Sequence, residues 1–336
     1  MDRIHFSLEL DMAAKVLVVG GAGYIGSVCA AVLRQHDFEV VTFDDLSTGH
    51  EEAVQGPLIK GDIRDRDHLR SVLTDGHFDA VMHFAAKSLV GESVSNPLRY
   101  YDVNMGGTAS LLQAMQEAEV HSLVFSSTCA IYGNPEYLPL DEHHPKNPVS
   151  PYGASKKMVE EMLAACREKE DLRVTTLRYF NAAGCMPDGS LGESHKTETH
   201  LIPLAISAAL GDRPPLSLFG DDYDTRDGTC IRDYIHVLDL ADAHVRALNR
   251  LIDGDPGSAF NVGTGVGTTV REVLASIERC LGKPVPHEVT ARRAGDPPAL
   301  FARADKIRQE LDWAPQWTDI DDIVSTAVRW ATAPRF

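Results

Sequence analysis

The sequence predicts a doubly wound parallel α/β sheet joined to a smaller, irregular α/β domain. Three observations carry that prediction. Short apolar runs alternate with helical periodicity through the first half of the chain. A glycine turn, Gly20-x-x-Gly23-x-x-Gly26, closes the first apolar run, and an aspartate, Asp44, closes the second. Strand–helix alternation of this kind implies right-handed crossovers between parallel strands, a Rossmann-type arrangement.

The elements follow in order. Residues 16–19 (Val-Leu-Val-Val) make the near-continuous β-branched run that a buried parallel strand needs. The glycines then let the backbone turn tightly into a helix over 23–34 and approach a pyrophosphate, whose charge suits a helix N-terminus. Glycine-rich strand–helix turns also occur without a nucleotide. A second strand over 39–43 ends at Asp44, placed to accept hydrogen bonds from ribose hydroxyls. With Asp45 it would repel a 2′-phosphate, which favours NAD over NADP; a turn or cap aspartate is the other reading. Leu58-Ile59-Lys60 reads as a third strand, followed by Asp62-Ile63. Asp62 taken by itself is as readily an exposed turn as a contact to the adenine amino group. Strands over 80–84, 123–126 and 174–178 then alternate with helices over 66–74, 97–117 and 152–168.

Beyond Asn181 the texture changes. Residues 184–200 and 212–227 are rich in Gly, Pro and Asp and mark long loops, while helical patterns return at 202–210, 237–251, 270–280 and 304–310. The expected division is a nucleotide-binding domain over 13–180 and a second domain over 181–336. A strand-like run at 259–262 is free to rejoin the main sheet. Residues 1–12 make a poor signal peptide and read as an ill-ordered prefix, with Met12 a second candidate start.

Tyr152-Gly153-Ala154-Ser155-Lys156 puts a tyrosine and a lysine on one helix face. One such pair is expected by chance in a chain this long, so order decides its meaning. Phe125-Ser126-Ser127-Thr128 ends the fourth-strand region and brings a hydroxyl to the carboxyl edge of the sheet, where open α/β folds bind ligands. Such a trio suits proton transfer to or from an alcohol being oxidised. A free phenol titrates near pH ~10, too high for a neutral base. One cation ~4 Å away, at an effective dielectric of about 20, contributes roughly 4 kcal/mol, or about three pK units. A lysine ammonium and an oxidised nicotinamide together would bring the phenol near neutrality, with Thr128 holding the reacting oxygen.

Composition sets the limits. The chain has 336 residues, 43% of them apolar, enough for one large or two modest cores. A net charge of −17 argues against nucleic acid and anionic membrane as partners, so an anionic ligand needs arginines concentrated locally. The six cysteines show no Cys-x-x-Cys spacing, favouring reduced thiols over disulfides or a zinc site; no metal is expected. No apolar stretch approaches the ~18 residues of a membrane span. The cytoplasm is the expected location.

The order of glycine turn, Asp44, Thr128 and Tyr152-x-x-x-Lys156 resembles the extended short-chain dehydrogenase/reductase superfamily. Longer strings resemble its UDP-glucose 4-epimerase family: Gly23-Tyr24-Ile25-Gly26, Gly61-Asp62-Ile63-Arg64, Val90-Gly91-Glu92-Ser93 and Ser150-Pro151-Tyr152-Gly153-x-Ser155-Lys156. Leu177-Arg178-Tyr179-Phe180-Asn181, Arg232-Asp233-Tyr234-Ile235-His236-Val237 and Arg292-Arg293-Ala294-Gly295-Asp296-Pro297 extend it from about Lys15 to Trp330.

The resemblance implies reversible C4 epimerisation of UDP-glucose and UDP-galactose on bound NAD. It makes Tyr152 the base, Lys156 the residue that lowers its pKa and holds the nicotinamide ribose, and Thr128 the assisting hydroxyl. It assigns cofactor contacts to Tyr24, Ile25, Asp44, Asp45, Asp62, Ile63, Phe84, Ala85, Asn104 and Phe180, with either Lys87 or Ser88. It assigns the uridine and diphosphate to Asn181, His200, Leu201, Leu218, Phe219, Arg232, Tyr234, Arg293 and Asp296. Forked guanidinium groups suit phosphate. Leu300 is implied to limit space near the sugar's C2 substituent, favouring unsubstituted hexoses. Val19 stands where many relatives carry threonine, and His200 where asparagine is frequent. A 4,6-dehydratase is disfavoured because Cys129 and Ala130 fill the positions of the Asp-Glu pair that elimination uses. Epimerases of N-acetylhexosamine, glucuronate or pentose nucleotides share the core motifs, and a non-catalytic NAD sensor would be expected to lose part of the trio. The resemblance also implies a homodimer packed through the helices near 97–117 and 152–168.

Overall fold

A computed structural model describes residues 13–169, 171–293 and 296–336. The prefix expected over 1–12 lies outside the described residues, as do Ala294 and Gly295 of the motif quoted above. The first half builds β1 (Lys15–Val19), α1 (Tyr24–Gln35), β2 (Glu39–Asp44), β3 (Leu58–Lys60), α2 (Arg66–Gly76), β4 (Ala80–His83), α3 (Val90–Ser95), α4 (Pro97–Tyr100), α5 (Gly107–Glu117), β5 (Ser122–Ser126), α6 (Pro151–Lys169) and β6 (Arg173–Tyr179). The second half adds β7 (Asn181–Ala183), α7 (Leu201–Leu210), β8 (Leu216–Phe219), β9 (Ile231–His236), α8 (Val237–Ile252), β10 (Ala259–Val262), β11 (Gly267–Thr269), α9 (Val270–Leu281), β12 (His287–Thr290), β13 (Ala299–Leu300), α10 (Asp305–Leu311) and α11 (Ile320–Thr332).

Seven parallel strands form the main sheet in the order β10-β6-β5-β4-β1-β2-β3. The chain starts at the centre and winds outward in both directions. The strand order therefore reverses between β1 and β4, and the crevice beyond their carboxyl ends is where such sheets take ligands. Successive residues of β1 serve opposite faces. Val16 and Val18 pack with Val28 and Leu33 of α1 and Leu240 and Leu248 of α8. Leu17 and Val19 pack with Leu69 of α2, Leu111 of α5 and Val159 of α6. Both faces are covered, which is why the strand reads as unbroken apolar sequence.

The smaller unit has its own apolar centre, formed by Ile202 and Ile206, Leu216 and Leu218, Val273 and Ile277, and Ile323 and Val324. Its short sheet runs β11-β9-β13, with β7 also beside β9; β12 pairs with β8. Apart from β9, these strands have two to four residues and carry too little pattern to stand out in sequence; none of them, β9 included, is among the expected strands.

Two expectations need correction. The helix over 97–117 is not continuous: Tyr101–Gly106 forms a π-helical segment between α4 and α5. Its physical reason is Asn104, whose amide turns inward to accept from Lys87 N–H (2.8 Å) and to donate to Lys87 C=O (3.0 Å) and Ser155 Oγ (3.0 Å). The wider turn accommodates that insertion. Second, the helix over 237–251, expected in the second domain, does not pack in the apolar centre of the smaller unit; the strand over 259–262 is the one left free to rejoin the main sheet. Helix α8 covers α1 and β5, and β10 pairs in register with β6, so the chain returns to the main sheet after leaving it.

Candidate active site

The glycine turn is shaped by close approaches. Gly20 adopts φ +84°, and a Cβ there would sit 2.3 Å from Ala85 N. One at Gly26 would meet Gly20 O at 2.2 Å, so α1 can pack on the turn only without a side chain. Gly23 is different: its nearest neighbour would be 3.6 Å away, and no side chain caps the N–H groups of α1. An uncapped helix N-terminus beside that space fits a pyrophosphate. Tyr24 anchors the turn by donating its hydroxyl to Gly184 C=O (2.6 Å), while Ile25 packs into the apolar layer beneath. Val19 C=O accepts from Phe84 and Ala85 N–H, closing the neighbouring wall.

Asp44 is buried and already employed. It accepts from Ala22 N–H (2.9 Å) and Leu46 N–H (2.8 Å). Burial raises its pKa and those two bonds oppose the rise. Each oxygen keeps a lone pair for a ribose hydroxyl. Asp45 is exposed and caps Ser47 N–H (2.8 Å). Asp62 is held low by Arg64, whose Nε donates at 3.0 Å and whose fork also reaches Asp102. Ile63 is buried against Gly107, where a Cβ would lie 2.5 Å from its side chain. Lys87 stretches its ammonium to Ser47 Oγ (2.9 Å), and its charge acts on both Asp44 and Asp62. Ser88 is exposed and makes none of these contacts. Of the two, Lys87 is the one whose charge bears on Asp44 and Asp62.

Thr128, Tyr152 and Lys156 gather at the carboxyl end of β5, Tyr152 and Lys156 in the first turns of α6. Tyr152 is 8% exposed and Lys156 3%. Burial pushes the Tyr152 phenol up to about 12, with the Thr128 hydroxyl opposing. Burial pulls the Lys156 ammonium down to about 7, with Glu160 opposing. The ammonium donates to Ser126 C=O (2.8 Å) and lies 4.6 Å from the Phe125 ring centre. The lysine's charge is engaged by the Ser126 carbonyl and opposed by burial. An additional cation at the phenol is what the arrangement demands. Burial also pushes the Cys129 thiol up to about 12, so it stays protonated and offers no base for elimination.

The sugar-nucleotide residues fall into two groups. Asn181 on β7 lies in register with Tyr234 on β9, and Arg232 on β9 with Leu300 on β13. Arg232 donates to Pro297 C=O (3.0 Å) and reaches Asp296 at 3.6 Å. Burial pushes the Tyr234 phenol up to about 12. Phe180 and Leu300 share an apolar cluster with Tyr132, Leu140 and Ala302. Around β8, Leu218 is buried while Phe219 projects outward, with the Arg293 guanidinium 4.4 Å from its ring centre. Leu201 opens α7, headed by His200. The His200 ring is turned onto Glu193 and Glu198, so a diphosphate would have to compete with carboxylates for it.

Several residues of the site had no separate signal. Glu160, one turn beyond Lys156, accepts from Arg178 Nε (2.9 Å) and Nη2 (2.7 Å), from Ser127 Oγ (2.7 Å) and from Lys146 Nζ (2.7 Å). This cluster underpins the Ser127-Thr128 backbone from below. Tyr100 donates to Glu92 (2.9 Å) and sets its ring edge-on to Tyr152, 6.5 Å between centres. Asp233 accepts from Thr264 and Ala302 N–H, locking β9 beneath Arg232.

A parallel sheet with this glycine turn and a buried Thr–Tyr–Lys group defines a nucleotide-dependent enzyme of the short-chain dehydrogenase kind. Residues 16–263 match the model of the NAD dependent epimerase/dehydratase family, and the chain belongs to that family. It is 52% identical over 316 residues to a UDP-glucose 4-epimerase of Rhizobium leguminosarum bv. trifolii, covering 94% of this chain and 96% of that protein. The crystal structure of UDP-glucose 4-epimerase from Brucella ovis in complex with NAD superposes with a TM-score of 0.93 at 48% identity, covering 94% of this chain and 98% of that one. The Bifidobacterium longum enzyme in complex with NAD+ and UDP gives 0.90 at 36%, covering 95% and 98%.

Proposed function

We propose that this protein interconverts UDP-glucose and UDP-galactose by inverting C4 through a transient 4-keto sugar. The observation that carries the reading is the buried Thr128–Tyr152–Lys156 group at the carboxyl edge of the sheet, on a chain half identical to UDP-glucose 4-epimerases. Bound NAD supplies the hydride acceptor and donor, and its positive ring supplies the cation that the Tyr152 phenol needs. Everything else is done by the chain. The glycine turn and Asp44 hold the dinucleotide, Lys87 closes over it, and Tyr152 takes the C4 hydroxyl proton while Thr128 orients that oxygen. Arg232, Arg293, Asn181 and Tyr234 grip the UDP portion. Binding energy concentrated there leaves the hexose free to turn over between removal and return of hydrogen. Leu300, in the apolar cluster beside Phe180, supports a preference for hexoses without an N-acetyl group.

The test is product analysis: enzyme as purified is given UDP-galactose without added cofactor or reductant. A glucose–galactose nucleotide mixture is expected. Unchanged substrate, with cofactor present by absorbance, overturns the reading.

We further propose a homodimer and a reducing compartment. Val90 and Val94 of α3, Leu98 of α4, Met105 of the π-helical segment and Met158 of α6 are all exposed apolar side chains, Leu98 at 78% and Val94 at 65%. Leu98, Met105 and Met158 lie within the segments expected to pack between subunits, and Val90 and Val94 just before them. No disulfide links the six cysteines, and among the described residues no helix is long and apolar enough to cross a membrane.

A further inference from the structure

Four side chains away from the Thr128–Tyr152–Lys156 group stand together on the loop between β7 and α7. Glu193, His195, Glu198 and His200 each offer one donor atom, and those atoms all lie within 4.8 Å of one another. Both histidines present Nδ1 to the same two carboxylates. His195 Nδ1 is 3.4 Å from Glu193 Oε1 and 3.2 Å from Glu198 Oε2. His200 Nδ1 is 3.3 Å from Glu198 Oε1 and rests against Glu193 Oε1.

One hydrogen bond per ring, His195 with Glu198 and His200 with Glu193, leaves the second carboxylate at each nitrogen without a hydrogen between them. A ring Nδ1 carries at most one hydrogen, yet each of these nitrogens faces two carboxylates. A single central cation satisfies all four donors at once. Ligands about 2.0–2.1 Å from a tetrahedral centre stand roughly 3.3 Å apart, which matches three of the four histidine–glutamate separations; the fourth, His200 to Glu193, is closer. The two rings lie 5.5 Å apart at 62°, splayed as two ligands of one ion are, not stacked.

We propose that Glu193, His195, Glu198 and His200 bind one divalent transition-metal ion, with zinc the best fit to two imidazoles and two carboxylates. The resulting charge is neutral: two carboxylates balance the ion and both rings coordinate unprotonated. Four protein ligands leave no open position, so the site is structural. Its outer contacts are in place. Glu198 Oε1 accepts from Thr199 and His200 N–H, both at 2.7 Å. Trp330 Nε1 donates to Glu193 C=O (2.7 Å), and the His50 ring lies 3.2 Å from Ser194 C=O. Such second contacts orient ligands. The ion would pin the loop that runs from Gly184, where Tyr24 is anchored, to the start of α7.

The inference takes His200 out of the diphosphate contacts that the resemblance implies but needs no step of the proposed reaction, and its test reads metal rather than turnover. Full-length protein with its copurified cofactor is stripped with a chelator, then offered zinc or cobalt(II) and gel-filtered. About one equivalent per chain is expected to stay bound, with the strong visible absorption of tetrahedral cobalt(II) and a raised Tm. Glu193→Gln and His195→Gln should each lower retention tenfold or more, with cofactor absorbance unchanged as the check on folding. If a variant loses its cofactor, the wild-type cobalt spectrum decides alone. Retention below about a tenth of an equivalent, a weak octahedral cobalt spectrum, or equal retention by well-folded variants overturns the site.

Discussion

Tyr152 sits in surroundings that hold its proton, since burial pushes the phenol up to about 12 while the nearby lysine is itself pulled down to about 7. Its reactivity therefore depends on charge brought to it. Tyr152→Phe keeps the ring and removes only the proton acceptor, and should lower kcat by about 10²–10⁴ with folding and cofactor content intact; UDP-galactose turnover within a few-fold of wild type would exclude the assignment. Glu160 acts one step further back. Burial would raise its carboxyl, but Arg178 and Lys146 outweigh it and hold it below its ordinary 4.5. Because the folded value is depressed, the cluster's stabilisation is complete above pH 4.5 and fades as pH falls below it. Glu160→Gln strands the buried Arg178 charge and should cost about 3–5 kcal/mol in chemical denaturation at neutral pH. The same variant should show a shallower loss of stability in acid. Tyr152 and Lys156 were legible because their spacing carries chemistry. Glu160 was not, since a glutamate at that helical spacing reads as solvent-facing until Arg178 of a strand beyond it is known to be its partner.

At the scale of elements, the first strand, turn and helix were readable almost to the residue, for the pattern there is local. Val16–Val19 must be buried on both faces, and the glycines must turn. What sequence did not distinguish is that the three glycines have different jobs. Gly26→Ala drives a Cβ into Gly20 O and should lower Tm as well as cofactor content. Gly23→Ala meets nothing in the chain within 3.6 Å, so Tm of the cofactor-free protein should hold while bound NAD falls tenfold or more. Equal losses of stability in both variants would refute the distinction. The π-helical segment at Tyr101–Gly106 was hidden because it arises from Asn104 reaching Lys87 across the molecule, a demand no local periodicity records. Glu193-x-His195-x-x-Glu198-x-His200 lies in a stretch that reads as a loop in sequence, with no metal expected. Only the loop's fold shows that the four converge.

For the whole molecule, doubly wound topology followed from strand–helix alternation, but the placement of α8 did not. An amphipathic helix declares which face is apolar, not which sheet that face covers. The apolar row on α3, α4 and α6 bears on assembly. Leu98→Asp should convert a dimer to a monomer in light scattering without lowering monomer Tm, whereas a wild-type chain that runs as a monomer at micromolar concentration would refute the interface.

The excursion between β6 and β10 has a practical consequence. The backbone departs from the large sheet after Tyr179 and is stitched back into it by α8 and β10 before leaving again. No single linker separates the two halves. A protease that nicks one exposed loop should leave a particle that still migrates as intact protein on a native gel, its pieces parting only in denaturant. A recombinant fragment ending near residue 180 would lack both its border strand and the cover over α1, and it should precipitate instead of binding dinucleotide.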